Sequence, residues 1–177
     1  MKSNLTLIGM PGAGKSTVGI ILAKNLTFGF LDTDVLIQIN QQKSLQQIID
    51  GSDHLNLRRI EEGEILKLNI DKHIIATGGS VPYSEKAMEH LKNISEIVFL
   101  YVSYDELERR IHNFETRGIS KAPNQTFKEI YDERQILYKK YADIVVDCYR
   151  LNQDQVAMEI VKSYILKGAA NNNNKGI

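Results

Sequence analysis

The chain has 177 residues, 42 % hydrophobic and 25 % charged, with Lys plus Arg equal to Asp plus Glu at 22 each. That length suits one domain with a sizeable core, and the zero balance offers no general field for recruiting a nucleic acid or an anionic membrane. Cys148 is the only cysteine, so no intrachain disulfide can form; a reducing, cytoplasmic setting and a packing role for the thiol follow.

The first predicted element is a buried strand at Leu5–Ile8, followed by Gly9-Met-Pro-Gly-Ala-Gly-Lys-Ser-Thr17 and then by a helix over Lys15–Leu26 with Val18, Ile20, Ile21, Leu22 and Leu26 at helical spacing. Gly9, Gly14, Lys15 and Ser16 fill the pattern G-x-x-x-x-G-K-[ST] in the strand–loop–helix context that pattern requires. A helix N-terminus offers unpaired N–H groups and partial positive charge, and glycines let the backbone wrap a polyphosphate where any Cβ would block it. Phosphate contacts are therefore assigned to Gly12, Ala13, Gly14, Lys15, Ser16 and Thr17. Lys15 reaches the β- and γ-phosphates, and the Ser16 hydroxyl binds the bridging magnesium ion. The apolar N-terminal stretch is short and is interrupted by Pro11, Gly12 and Lys15, so it reads as neither a signal peptide nor a membrane span.

Further along, strands are expected at Phe28–Leu31, His73–Ala76, Ile97–Val102 and Ile144–Val146. Helices are expected at Asp34–Gln41, Leu45–Asp50, Leu55–Asn69, Ser84–Leu91, Tyr104–Arg110, Thr126–Tyr141 and Asn152–Leu166. Ser44 and Gln47 form a capping box for the helix at Leu45. This alternation predicts a parallel sheet with helices on both faces, in one domain over 1–167, and ligands at the carboxyl ends of the strands. The segment 168–177 is polar and low in complexity, and is expected to be disordered.

Asp32 and Asp34 follow the second strand at i, i+2 and point to one side. Beside a phosphate loop, one of them can hold the metal through water while the other takes the proton of an acceptor hydroxyl; the alternative is that Asp32 or Asp34 simply caps the helix. Arg58 and Glu61, at i, i+3, form either a solvated pair or a guanidinium fork for a substrate carboxylate together with its neighbour. Gly78 and Gly79, within Thr77-Gly-Gly-Ser80, mark a tight turn or a close approach to the backbone. The stretch 112–125, flanked by Arg109 and Arg110 and containing Arg117, reads as a lid that excludes water or as an ordinary surface connection. Arg134 and Tyr138 share one helix face, and Arg134 is a second candidate for binding a carboxylate or phosphate.

Together these anchors, with Arg58-Arg-Ile-Glu61 and Glu133-Arg-x-x-Leu-Tyr138-x-x-x-Ala-Asp143, resemble the shikimate kinase family over residues 4–147 in order and spacing. The resemblance implies a P-loop kinase fold of the α/β class: a five-stranded parallel sheet in the order 2-3-1-4-5, sandwiched by helices, with a lid at about 112–124. It implies ATP and Mg²⁺, with Ser16 and Asp32 serving the metal. Asp34, Arg58, Gly78, Gly79 and Arg134 hold the acceptor, Asp34 acts as base, Arg110 lies near adenine, and Lys15 and Arg117 lie on the phosphates. The expected partner is a small-molecule substrate, with no nucleic acid or membrane, and the chain is expected to be a monomer. Four positions depart from the family pattern. Ser80 stands for a third glycine, Arg117-Gly-Ile-Ser120 lacks the usual proline after the arginine, Leu57 replaces an aromatic, and a proline near Ile136 is absent. Because these lie around the acceptor and lid, the alternative is a related kinase of another sugar acid or polyol. A nucleotide-binding module without turnover is a second alternative, which the Asp32/Asp34 pair disfavours.

Overall fold

Asn4–Ile8 is buried at every position, with no alternation of buried and exposed residues. A strand of that kind must be covered on both faces, and the central strand of a parallel α/β sheet is covered so. The computed structural model describes residues 2–52, 54–111, 119–122 and 124–173, and it places this segment as strand β1. The chain continues through helix α1 (Lys15–Leu26), β2 (Gly29–Asp32), α2 (Thr33–Gln41), α3 (Leu45–Asp50), α4 (His54–Leu66) and β3 (His73–Ala76). After a short 3₁₀ turn at Val81–Tyr83 come α5 (Glu85–Ile94), β4 (Ser95–Tyr101), α6 (Tyr104–Arg110), α7 (Phe127–Tyr141), β5 (Ile144–Asp147) and α8 (Gln153–Asn173).

The strands form one sheet in the order β2-β3-β1-β4-β5, every neighbouring pair parallel, as the family pattern implies. From β1 the chain moves outward to β2, returns through β3, and then crosses to β4 on the other side. The crevice beyond the carboxyl end of β1 is thus the point where the strand order reverses, the standard ligand position in such sheets. α1 packs on α8 and on β3, while α5 and α7 pack on β4. The main core runs through Leu5, Leu7, Ile74, Ile97, Phe99 and Leu100, all fully buried. A second, small cluster of Ile37, Ile48 and Leu57 ties α2, α3 and α4 into a separate wall beside the crevice.

Some boundaries differ from expectation. β4 begins at Ser95 because α5 runs straight into it: Ser95 is extended and its hydroxyl donates to Leu91 O, closing the helix without a turn. The capping boxes at Ser44 and at Thr126, with Gln47 and Glu129, fix the starts of α3 and α7. α8 continues to Asn173, into the segment expected to be disordered, with 174–177 outside the described residues. A helix already nucleated extends at little cost, and Ala169 and Ala170 favour it, whereas composition alone registered only the polar run. Among the described residues, no helix is long and apolar enough to cross a membrane.

At the edge of the sheet opposite the crevice, fully buried Asn4 fastens three elements. Its Nδ2 donates to Ile70 O (2.7 Å) and Ile94 O (3.0 Å), and its Oδ1 accepts from His73 N (2.9 Å). Asn4→Ala orphans two carbonyls and an amide where β3 and β4 enter the sheet. It should cost about 2–4 kcal/mol by urea unfolding, with an unchanged m value.

Candidate active site

The loop after β1 has the form its glycines predict. Gly12 and Gly14 have φ of +82° and +93°, in the left-handed region that only glycine occupies without strain. Gly14 is the N-cap of α1, and no side chain caps the helix and no acidic residue stands in its first turn. The free N–H groups of this turn therefore face the crevice, open to an anion. Lys15 is buried, and its Nζ donates to Gly9 O (2.9 Å) and Met10 O (3.0 Å). Two neutral carbonyls do not replace water around an ammonium, so burial pulls its pKa down to about 8, against the opposing pull of Asp34 and Asp32.

Asp32 does two jobs at once. Its Oδ1 accepts from Asp34 N (3.0 Å) and Val35 N (3.4 Å), capping α2, while its Oδ2 accepts from the Ser16 hydroxyl (2.5 Å). The cap therefore occupies one oxygen and leaves the other facing Ser16. Asp34 makes no cap; it points into the crevice, where burial and Asp32 raise its pKa to about 6 against the pull of Lys15. A carboxylate so shifted is a stronger base than an ordinary one and is still ionised at neutral pH.

Glu61 was expected only as a partner for Arg58. Among the described residues no ion pair joins them; instead Glu61 Oε2 accepts from the Ser80 hydroxyl (2.5 Å). Glu61 is buried, and desolvation lifts its pKa to about 7, with Asp34 adding to the rise and the Ser80 bond opposing it. The turn after β3 explains its glycines: a Cβ on Gly78 would run into Glu61 Oε1 and lie 2.8 Å from Asp34 Oδ1, so only glycine fits between the two carboxyl groups. Thr33 Oγ1 holds Gly78 N (3.1 Å) and the Tyr138 hydroxyl holds Gly79 O (2.7 Å), pinning the turn from both sides.

Arg58 lies across the Tyr83 ring at 3.7 Å from its centre, and its Nε donates to Ser120 Oγ (3.1 Å). Arg134 is 1 % exposed; its Nη2 donates to Ser120 O (2.7 Å), and its Nε has no hydrogen-bond partner among the described residues. Tyr83 supplies the aromatic face that Leu57 does not, and only the folded turn brings it there. Together Gly12, Gly14, Lys15, Ser16, Thr17, Asp34, Glu61, Gly78, Gly79, Ser80 and Arg134 line one cleft of about 360 Å³, and Arg58 lines the recess beside it. Ala13 is buried beneath the loop. Arg110 sits at the end of α6 with its Nε on Glu106 Oε1 (2.9 Å), next to Ile111, which packs against Gly12. Arg117 lies outside the described residues, as does most of the expected lid, of which 119–122 and Asn124 are described.

The cleft thus pairs an anion-binding helix end with two guanidinium groups and puts a base within it, the set needed to move a phosphoryl group onto a hydroxyl of a carboxylate-bearing acceptor. Glu61 makes that arrangement costly at high pH. Its ordinary pKa is 4.5 and its folded value about 7, so its favourable contribution is complete below the first and lost as pH rises through the second. Gln in its place still accepts the Ser80 hydroxyl and carries no charge. Glu61→Gln should therefore gain stability over the parent by about 2 kcal/mol between pH 5 and pH 8, read from urea midpoints.

A sequence model of the shikimate kinase family matches residues 11–164. A shikimate kinase of Clostridium botulinum (strain Okra / Type B1) is 36 % identical over 166 residues, covering 91 % of this chain and 95 % of that one. Among solved structures, the shikimate kinase of Acinetobacter baumannii in complex with shikimate superposes with a TM-score of 0.87 at 25 % identity, over 94 % of this chain and 95 % of that one. That of Aquifex aeolicus superposes with a TM-score of 0.80 at 30 % identity, over 94 % and 98 %. With its sheet order, its phosphate loop and its cleft all agreeing, the chain belongs to the shikimate kinase family.

Proposed function

We propose that this cleft transfers the γ-phosphoryl group of ATP to the 3-hydroxyl of shikimate. The observation that carries the reading is the joining of the α1 N-terminus, Asp34 and Arg134 in one cleft, with Arg58 alongside and linked to it through Ser120. The acceptor carboxylate is gripped by Arg58 and Arg134, whose forks suit a planar anion. Its ring hydroxyls face Asp34 and the backbone of Gly78 and Gly79. The acceptor oxygen attacks the γ-phosphorus as the bond to the β-phosphate oxygen breaks, its proton passes to Asp34, and ADP leaves. Lys15 moves from the Gly9 and Met10 carbonyls onto the β- and γ-phosphates, where its charge is needed as charge builds on the leaving oxygen. Arg110 is assigned a place by the adenine, and Arg117 the second cation on the transferring group.

A magnesium site fits the donors present. Ser16 Oγ and Asp32 Oδ2 are hard oxygen ligands already in contact, and Mg²⁺ is commonly held by one carboxylate, a hydroxyl, substrate phosphate and water. When bound there it neutralises charge on the β- and γ-phosphates.

Ser80 stands where the family pattern has glycine, which motivated the alternative of another acceptor. Its hydroxyl is turned onto Glu61 and the residue is 4 % exposed, so the substitution is absorbed by the protein and does not itself require a different acceptor.

Coupled ADP release with shikimate, quinate and gluconate tests the reading: shikimate should exceed the others in kcat/KM by on the order of 100-fold, and a preference for gluconate would overturn it. Lys15→Met should lower kcat at least roughly 100-fold in a folded protein, about 3 kcal/mol of barrier. Asp34→Asn should lower kcat with little change in nucleotide affinity. Arg58→Ala and Arg134→Ala should each raise the KM for shikimate by on the order of 100-fold while leaving that for ATP within a few-fold.

A further inference from the structure

We infer that Ser120 is a positioning residue for acceptor binding: it bridges the two guanidinium groups and sets their spacing before an acceptor carboxylate arrives. The inference rests on the assignment of Arg58 and Arg134 to that carboxylate. Arg58 stands on α4 and Arg134 on α7, helices far apart in sequence. Burial and then the nearby charge of Arg134 both disfavour the Arg58 cation, so the two side chains repel each other. No carboxylate lies within ion-pairing distance of either among the described residues. Two residues touch both: the Tyr83 ring lies 3.7 Å from Arg58 and 5.6 Å from Arg134, and Ser120 supplies the hydrogen bonds, its Oγ accepting from Arg58 Nε at 3.1 Å and its O from Arg134 Nη2 at 2.7 Å.

The choice of nitrogens matters. Arg58 gives Ser120 its Nε, which leaves both Nη groups for a ligand. Arg134 gives one Nη and keeps Nη1 on the side of Gly79, where a Cβ would lie 2.9 Å from it. Ser120 therefore leaves open the two-nitrogen end of Arg58 and, on Arg134, the buried Nε, which has no hydrogen-bond partner among the described residues. It is 3 % exposed and lines the cleft beside Ile119, so it is part of the packed wall. A neutral acceptor is suited to this place. A carboxylate would discharge the two guanidinium groups and compete with the acceptor, whereas an apolar side chain would leave Arg58 held only by the Tyr83 ring. Holding the forks in advance removes ordering entropy from the binding step, the usual source of affinity in a preorganised site.

Ser120 was visible in the sequence only as a departure from the family's lid pattern. Its two contacts are long-range, 62 and 14 residues from their partners, and no local periodicity reports them.

The test is steady-state kinetics on the full chain with wild type, Ser120→Ala and Ser120→Thr, using shikimate and its carboxamide analogue as acceptors. Wild-type turnover of shikimate is measured first; its absence overturns the acceptor assignment and this inference with it. Given turnover, Ser120→Ala should raise the KM for shikimate roughly 10-fold, with the KM for ATP and kcat each within about 3-fold, and Ser120→Thr should restore the parent value. The carboxamide, which cannot draw on paired cations in the same way, should show less than about a 2-fold change between parent and Ala variant. If Ser120→Ala does not fold, Ser120→Cys, which keeps the shape and weakens the acceptor atom, should show the same pattern. An unchanged or lowered KM for shikimate in the folded variant overturns the inference, as does an equal loss with both acceptors, the mark of a merely structural role.

Discussion

Five ionisable side chains meet at the carboxyl edge of one sheet without closing into ion pairs: Lys15, Arg58 and Arg134 on the positive side, Asp34 and Glu61 on the negative. Left to relax, such groups would pair, because paired charge is much less costly to bury than isolated charge. Neutral partners hold them apart. Lys15 is tied back to the Gly9 and Met10 carbonyls, Arg58 and Arg134 to the hydroxyl and carbonyl of Ser120, and Glu61 to the Ser80 hydroxyl. The result is a cleft whose charges are desolvated and form no ion pair among the described residues, with Lys15 drawn down to about 8 and Asp34 and Glu61 drawn up to about 6 and 7. Such a site is unfavourable for folding and favourable for a ligand that brings the missing charge, and shifted groups of this kind concentrate where chemistry is done.

The rest of the fold serves that separation. The apolar core beneath the sheet and the Asn4 clamp at its far edge supply stability away from the cleft. The smaller cluster of Ile37, Ile48 and Leu57 ties α2, α3 and α4 together beside the cleft, and Ile65 anchors α4 in the main core. At the Gly78 turn the absence of a Cβ lets Asp34 of α2 and Glu61 of α4 approach the same point. Glycine there is a requirement of packing, and the neighbouring Ser80 is tolerated because its hydroxyl finds a carboxylate partner.

The phosphate loop, the strand order and most elements were legible because their signals are local. α1, α3, α6 and β3 begin and end where periodicity and caps placed them. The Asp32 pair was legible as a cap or a polar site, and Asp32 caps α2 through one oxygen while the other accepts from the Ser16 hydroxyl. What could not be read was long-range. The i, i+3 spacing of Arg58 and Glu61 suggested a pair, yet each found a partner from another element, Ser120 and Ser80. Tyr83 under Arg58 carried no signal, since a ring three residues past a polar turn resembles any surface tyrosine. The extension of α8 to Asn173 escaped a reading based on composition, which scores polarity and ignores a helix already begun.

The central claim is that charge in the free cleft is held desolvated and is released from that state by the ligand. Titration of the chain with a non-hydrolysable ATP analogue and Mg²⁺ at pH 8, in buffers of different ionisation enthalpy, tests it directly. Lys15, with its pKa near 8, is about half neutral at that pH and becomes fully charged on the phosphates, so binding should take up roughly half a proton, and Lys15→Met should abolish the uptake. A binding enthalpy independent of the buffer, with affinity intact, would contradict the account.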